Sequence, residues 1–95
     1  MTETTLNAFT GSIRGRVQGV GFRYFARKRA LELNITGWVR NLPDGNVEVL
    51  AIGPISKLEQ FMHYLQTGPM GSRVENTEFQ WVFDPGKWKG FEIIG

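Results

Sequence analysis

Residues 15–23, GRVQGVGFR, combine three glycines with two arginines and contain no acidic side chain. Gly19 and Gly21 lie where the chain must turn sharply between a β-like run and a helix, and glycine reaches backbone conformations that side chains forbid. Successive N–H groups in such a turn converge at the positive end of the helix, where they bind anions, most often phosphate. Arg23, in the first helical turn, is placed to add a bidentate guanidinium contact. The stretch therefore indicates a phosphate site, although turn and packing glycines would show the same spacing.

The better-known phosphate motifs do not fit this stretch. A P-loop requires a Lys-Ser/Thr pair directly after its second glycine, and the sequence supplies none there. A dinucleotide-binding loop requires a further glycine where Tyr24 stands. Nucleotide binding by either route is not expected.

The composition excludes several other kinds of site. The 95 residues contain no cysteine, so a disulfide, a thiolate nucleophile and a cysteine-ligated metal are all ruled out. Eleven basic residues against nine acidic ones leave a net charge of only +2, so nucleic-acid binding would need a local basic cluster. The densest cluster is formed by Arg23, Arg27, Lys28 and Arg29. The last three of these residues suit a solvated helix face better than a binding surface.

Other side chains with chemical potential have plainer interpretations. His63 would be a tempting general base, but its helical position is roughly opposite the apolar stripe, so a solvent-facing residue without a chemical role is expected. Four aromatic side chains could stack on nucleic-acid bases, although packing in the core or on the sheet is favoured. These are Trp38, Phe79, Trp81 and Phe83.

The length predicts one domain over residues 1–95, with a flexible tail at residues 1–5. No apolar segment is long enough to span a bilayer, and Met1–Thr5 does not resemble a signal peptide. A cytoplasmic location is therefore expected.

Hydrophobic periodicity divides the chain into six main elements and one short one. Apolar residues alternate in the first strand and recur at helical intervals from Phe22. A second apolar stripe begins at Ile55, and Ser56-x-x-Glu59 resembles a capping box. Pro43-Asp44-Gly45 separates two β-rich runs, as in a hairpin. The predicted ranges are strand 8–17, helix 22–34, strands 36–42 and 46–52, a helix from 55 to about 65, strand 78–83 after a loop over 67–76, and a possible short strand at 91–94.

The order strand, helix, strand, strand, helix, strand is that of an α+β, ferredoxin-like βαββαβ sandwich. Two helices would pack on one face of a four-stranded antiparallel sheet, with a possible short fifth strand at the C-terminus. The fold by itself names no function.

Two segments together make the chain recognisable. GRVQGVGFR and GWVRNLPDGNVEVLAIG, residues 15–23 and 37–53, closely resemble the two signature segments of the acylphosphatase family. The resemblance continues through GPMGSRVE at residues 68–75. It implies hydrolysis of the carboxyl-phosphate anhydride of an acyl phosphate to a carboxylate and inorganic phosphate, by direct attack of water and without a metal or other cofactor.

The resemblance also implies a role for individual residues. The backbone N–H groups of Gln18, Gly19, Val20, Gly21, Phe22 and Arg23 would hold the phosphoryl oxygens. The guanidinium of Arg23 would bind them too, and Asn41 would orient the attacking water, which suits an amide because it both donates and accepts. Asn41 would meet the phosphate if its strand adjoins the first strand. From spacing alone, a hairpin residue is the favoured interpretation of Asn41, whereas Arg23 fits a surface charge and a phosphate ligand equally well.

Two further hypotheses compete with a free-standing enzyme. One is a small RNA-binding or anion-binding module, suggested by the aromatic residues and the basic charge but lacking a clear base-stacking motif. The other is a domain that handles carbamoyl phosphate within a larger enzyme system. The favoured expectation is a monomer that binds a small acyl phosphate and neither nucleic acid nor membrane.

Overall fold

The computed structural model describes residues 5–95, so most of the predicted tail at residues 1–5 lies outside the described residues. Its elements are β1 (Asn7–Arg16), α1 (Phe22–Glu32), β2 (Thr36–Asn41), β3 (Val47–Gly53), α2 (Ile55–Thr67), β4 (Arg73–Trp81) and β5 (Phe91–Ile93). Among residues 5–95, no helix has both the length and the apolar character needed to cross a bilayer.

The five strands form one sheet in the order β4-β1-β3-β2-β5. β1 pairs antiparallel with both β3 and β4, and β2 pairs antiparallel with β3. Both helices bury their apolar stripes against the same hydrophobic core as the inward-facing residues of the strands. The predicted ferredoxin-like α+β fold is thus confirmed. The largest fully buried side chains are Phe9, Phe22, Phe61, Phe91, Ile13, Ile35, Leu58, Leu65, Val17, Val39, Val47 and Val49.

The short fifth strand makes the sheet mixed. β5 pairs parallel with β2, with Gly37 opposite Phe91. Three hydrogen bonds flank this pairing: the N–H of Gly37 donates to the carbonyl of Gly90 at 2.9 Å, the N–H of Ile94 to the carbonyl of Val39 at 2.9 Å, and Nε of Arg27 to the carbonyl of Phe91 at 3.0 Å. Arg27 therefore anchors the C-terminal strand to α1, which is a structural use of one of the basic residues in the predicted cluster.

The predicted bounds of the fourth strand were wrong. β4 begins at Arg73, inside the predicted loop over 67–76, and ends at Trp81, so Phe83 lies beyond it. Residues 73–78 pair with the end of β1 across a bulge between Arg14 and Gly15, where a Cβ on Gly15 would overlap the carbonyl oxygen of Arg73. Gly15 therefore leaves room for the backbone of β4 that a side chain would occupy. β4 is an edge strand, and its exposed polar residues hide the alternation that identifies buried strands.

The predicted capping box of the second helix was also wrong. Pro54 is the N-cap of α2, and no side chain bonds the free N–H groups there. Ser56 is already inside the first helical turn, so its hydroxyl is not in the capping position. The first helix ends at Glu32, two residues earlier than predicted, and Asn34 leaves it with a φ of 58°.

A second apolar cluster covers part of the other face of the sheet. It contains Ala8, Leu50 and Ile52, with Trp38, Val82 and Trp88 packed against them. The segment after β4 thus crosses the face of the sheet that the helices leave open.

The four aromatic residues considered as base-stacking platforms have different surroundings. Trp38 lies in the second cluster, and the rings of Phe79 and Trp81 stand edge-on to Phe9 at 5.2 and 6.1 Å. The packing interpretation is confirmed for Trp38 and Phe79, whereas Trp81 contacts Phe9 but is 53% exposed. It was wrong for Phe83, which is 97% exposed because it lies beyond the end of β4.

Candidate active site

The glycine-rich stretch forms the connection between β1 and α1. Val17 and Phe22 are buried in the core and fix its two ends, while Gly19 and Gly21 between them have φ angles of 75° and 76°. These are left-handed conformations that glycine adopts without the cost other residues incur. The two glycines therefore let the chain leave the sheet and enter the helix within a few residues. We call residues 18–23 the phosphate loop.

The backbone N–H groups of the phosphate loop are not used by the fold. Helix α1 makes its first hydrogen bond from the N–H of Phe25 to the carbonyl of Gly21, at 3.0 Å. Among the described residues, no N–H of residues 18–23 donates a hydrogen bond, and neither a capping side chain nor an acidic residue occupies the first turn. Free donors at the positive end of a helix form a site for an anion.

Arg23 is half-buried in the first turn of α1, beside these donors. The ion pairs within residues 5–95 are Arg29 with Glu32 and Arg40 with Glu48, so the Arg23 guanidinium is not neutralised by a carboxylate there. A cation of this kind adds charge and paired donors to the backbone groups of the phosphate loop.

Asn41 is the last residue of β2 and lies at the same end of the sheet as the phosphate loop. Because β1 and β2 both run antiparallel to β3, they run in the same direction. Val47 of β3 lies opposite Ile13 of β1 and opposite Asn41 of β2. The adjacency of β1 and β2 that was the condition for Asn41 to meet the phosphate is not found, since β3 lies between them. Their shared direction nevertheless brings their ends to the same end of the sheet.

The Gln18 side chain connects the phosphate loop to the hairpin that carries Asn41. Its Nε2 donates to the carbonyl oxygens of Leu42 and Asn46, both at 2.9 Å. The hairpin has bonds of its own, from the N–H of Leu42 to the carbonyl of Asn46 at 2.8 Å and from the N–H of Asn46 to Oδ1 of Asp44 at 3.0 Å. Gln18 was predicted for its backbone N–H alone, and nothing in its spacing revealed this use of its side chain.

The side-chain oxygen of Asn41 is buried without a partner. Asn41 is half-exposed as a residue, yet its Oδ1 is closed off from the surface and accepts no hydrogen bond within the described part of the chain. A buried polar atom left unpaired costs about 1–3 kcal/mol. A hydrogen-bond donor that enters the site, such as a water molecule, would remove this cost.

A third segment, residues 68–72, borders the phosphate loop on the side away from Asn41. A Cβ on Gly68 would lie 3.1 Å from Cε2 of Phe22. Ser72 closes the turn, because its N–H and hydroxyl both donate to the carbonyl of Pro69, at 3.1 and 2.6 Å. Met70, at the tip, is 99% exposed. Sequence reasoning noted this segment only as part of a resemblance.

The remaining candidates lie outside this site. His63 is exposed on α2, as predicted. The guanidinium of Arg29 pairs with Glu32 and lies 4.5 Å from the ring centroid of Tyr64. Within residues 5–95, no group of three His, Cys, Asp or Glu residues is placed to hold a metal ion.

Comparisons with known proteins identify the family and the fold of this chain. The acylphosphatase family model matches residues 9–93. An acylphosphatase from Thermus thermophilus is 54% identical over 81 residues, which cover 85% of this chain and 91% of that protein. The crystal structure of acylphosphatase from Bacillus subtilis superposes with a TM-score of 0.91 at 35% identity, covering 96% of this chain and all of that one.

The same fold also occurs inside a much larger protein. A full-length HypF structure, in a phosphate- and nucleotide-bound form, matches 96% of this chain with a TM-score of 0.85 and 26% identity, but the match spans only 12% of HypF.

The fold and these relatives identify the class of protein as a small α+β hydrolase that acts on acid anhydrides. The chain belongs to the acylphosphatase family.

Proposed function

We propose that this chain hydrolyses acyl phosphates by direct attack of water on phosphorus, without a metal, using the phosphate loop, Arg23 and Asn41. The observation that carries the proposal is the arrangement of polar groups at the end of the sheet where β1 and β2 terminate. Within residues 5–95, unused backbone donors and a guanidinium without an ion pair lie on one side, and a buried amide oxygen without a hydrogen-bond partner lies on the other.

In the proposed reaction, the N–H groups of Gln18, Gly19, Val20, Gly21, Phe22 and Arg23 and the Arg23 guanidinium hold the phosphoryl oxygens. These donors stabilise the charge that develops on the oxygens in the transition state, which is the main task of a catalyst of phosphoryl transfer. They are held by the fold before the substrate binds, so little reorganisation is needed during the reaction.

Asn41 orients the nucleophile. A water molecule that donates to Oδ1 of Asn41 satisfies this buried acceptor, and its lone pair is then directed at phosphorus. As the new P–O bond forms, the bond between phosphorus and the carboxyl oxygen breaks, and the carboxylate leaves with the electron pair. One water proton passes to a phosphoryl oxygen, giving inorganic phosphate. A carboxylate is a good leaving group, so no strong protein base is required.

The donor set suits this mechanism. Residues 17–23 and Asn41 include no carboxylate, imidazole or thiolate, the groups that bind catalytic metals. Their amides and guanidinium bind phosphate directly instead.

The activity is tested by following the hydrolysis of benzoyl phosphate by the wild-type protein, with and without a chelator. We expect turnover that the chelator leaves unchanged. Failure of a demonstrably folded protein to hydrolyse the substrate would contradict the proposed activity, and loss of turnover in chelator would contradict its independence of metal.

A monomeric, cytoplasmic enzyme that consists of one domain remains the prediction from the sequence. Light scattering at micromolar concentration tests the oligomeric part of that prediction, for which we expect the mass of a single chain, 10.8 kDa.

A further inference from the structure

The phosphate loop and Asn41 account for the phosphoryl group and the water, but they leave the acyl group of the substrate without a contact. In an in-line displacement the entering and leaving oxygens lie on opposite sides of phosphorus. If Asn41 holds the entering water, the acyl group must point away from Asn41. The geometry of the reaction thus restricts where residues that recognise the acyl group can lie.

The sheet order shows which segment lies on that side. The strands follow one another as β4-β1-β3-β2, and the phosphate loop extends from the end of β1. The hairpin with Asn41 lies on the β3 and β2 side of this loop, and residues 68–72, which lead into β4, lie on the other. The approach of Gly68 to Phe22 and the pairing of Arg16 with Arg73 bring this second segment against the phosphate loop.

The second segment contains one large apolar side chain. Residues 67–72, TGPMGS, contain no charge, and Met70 is the largest side chain among them. Its exposure of 99% means that the side chain has no packing role in the fold. Its backbone is nonetheless fixed by the two hydrogen bonds from Ser72 to Pro69. An unbranched thioether adapts to ligands of different shape, which suits a surface that receives an organic group.

We propose that Met70 contacts the acyl group of the substrate and favours substrates with a large apolar acyl group over acetyl phosphate. This inference rests on the proposed function and extends it to the half of the substrate that the phosphate loop does not hold. Because the contact is apolar, it acts on the affinity for the acyl group and leaves the binding of phosphate unchanged.

The test compares benzoyl phosphate with acetyl phosphate in wild type, Met70→Ala and Phe83→Ala. Phe83 is the matched control, because it is 97% exposed but follows the end of β4 that is far from the phosphate loop. We expect Met70→Ala to lower kcat/KM for benzoyl phosphate by about three- to tenfold, mainly through KM, as loss of a partly exposed apolar contact predicts. Turnover of acetyl phosphate and inhibition by inorganic phosphate should not change, and Phe83→Ala should behave as wild type.

Three results would overturn the inference. Met70→Ala could leave benzoyl phosphate hydrolysis unchanged, or it could impair both substrates equally; in either case the proposed function stands while the acyl contact fails. A wild-type protein that hydrolyses neither substrate would overturn the proposed function, and the acyl contact with it.

Discussion

The two ends of the sheet expose very different groups. The end where β1 and β2 terminate, which we call the polar end, holds polar groups that lack a partner within residues 5–95: N–H donors, the Arg23 guanidinium and the buried side-chain oxygen of Asn41. One exposed apolar side chain, Met70, borders them. At the other end, where β1 begins and β4 terminates, large apolar side chains reach the surface. These are Leu6, Ile55, Trp81 and Phe83.

The difference shows which surface features indicate chemistry. Exposed apolar side chains are common on folded proteins and cost little. A buried polar group without a partner costs stability, so the side-chain oxygen of Asn41 suits a ligand that donates a hydrogen bond to it. The polar end is also built with more constraint, because Gln18 joins two of its segments and Ser72 closes a third.

The largest effect should come from the charge at the polar end. Arg23→Ala should lower kcat/KM for benzoyl phosphate by about 10²–10³-fold, since removing one preorganised donor to a developing oxyanion has this effect. The free energy of unfolding should change by less than about 1 kcal/mol, because Arg23 makes no ion pair within residues 5–95. Kinetics and urea unfolding measure the two quantities.

Lys28→Ala is the control for Arg23. It removes the same charge from the exposed face of the same helix. If both variants lost turnover to the same extent, the effect would be one of net charge and the proposed contact with phosphate would be wrong.

An intermediate effect should come from Gln18. In Gln18→Ala the carbonyls of Leu42 and Asn46 each lose one donor but keep a backbone partner, so the free energy of unfolding should fall by only about 1–2 kcal/mol. The hairpin that carries Asn41 is then no longer tied to the phosphate loop, and kcat should fall by about tenfold through misplacement of the water.

Gln18→Glu sharpens this test, because it keeps the shape of the side chain and replaces the donor with a carboxylate that faces two carbonyl oxygens. It should lose more stability and more turnover than Gln18→Ala. Gln80→Ala, on the exposed side of β4, is the neutral control. An unaffected kcat in both Gln18 variants would show that the connection has no role in catalysis.

The smallest effect should come from the apolar end. Phe83→Ser should leave turnover unchanged and alter the free energy of unfolding by less than about 0.5 kcal/mol, as for other surface substitutions. Thermal unfolding and benzoyl phosphate kinetics check this. A marked loss of activity would mean that the apolar end communicates with the site and that the contrast between the two ends is false.

Most of the fold could be predicted because its buried elements follow clear periodicities. Both helices place apolar residues at helical spacing, and Pro43-Asp44-Gly45 separates the strands of the hairpin. The start of β4 was missed because an edge strand, half exposed and next to a glycine-rich turn, has little alternation. The parallel pairing of β5 depends on contacts from Arg27 and Gly37, which a three-residue strand does not reveal.

The site was predictable to a smaller extent. Glycine spacing indicated a turn suited to anions with Arg23 beside it, but a role for Asn41 was assigned only through the family resemblance. The unpaired state of the Asn41 oxygen, the reach of the Gln18 side chain and the position of Met70 depend on how distant segments meet. Such contacts leave no trace in local spacing.

The most direct measurement is on Asn41→Ala, with turnover, inhibition by inorganic phosphate and urea unfolding determined on the same preparation. If Asn41 positions the water, kcat should fall by about 10²-fold or more, while the inhibition constant for phosphate stays within about twofold. The free energy of unfolding should not fall, because the substitution removes an unpaired buried acceptor. Unchanged turnover, or an equal loss of phosphate binding and turnover, would contradict this account.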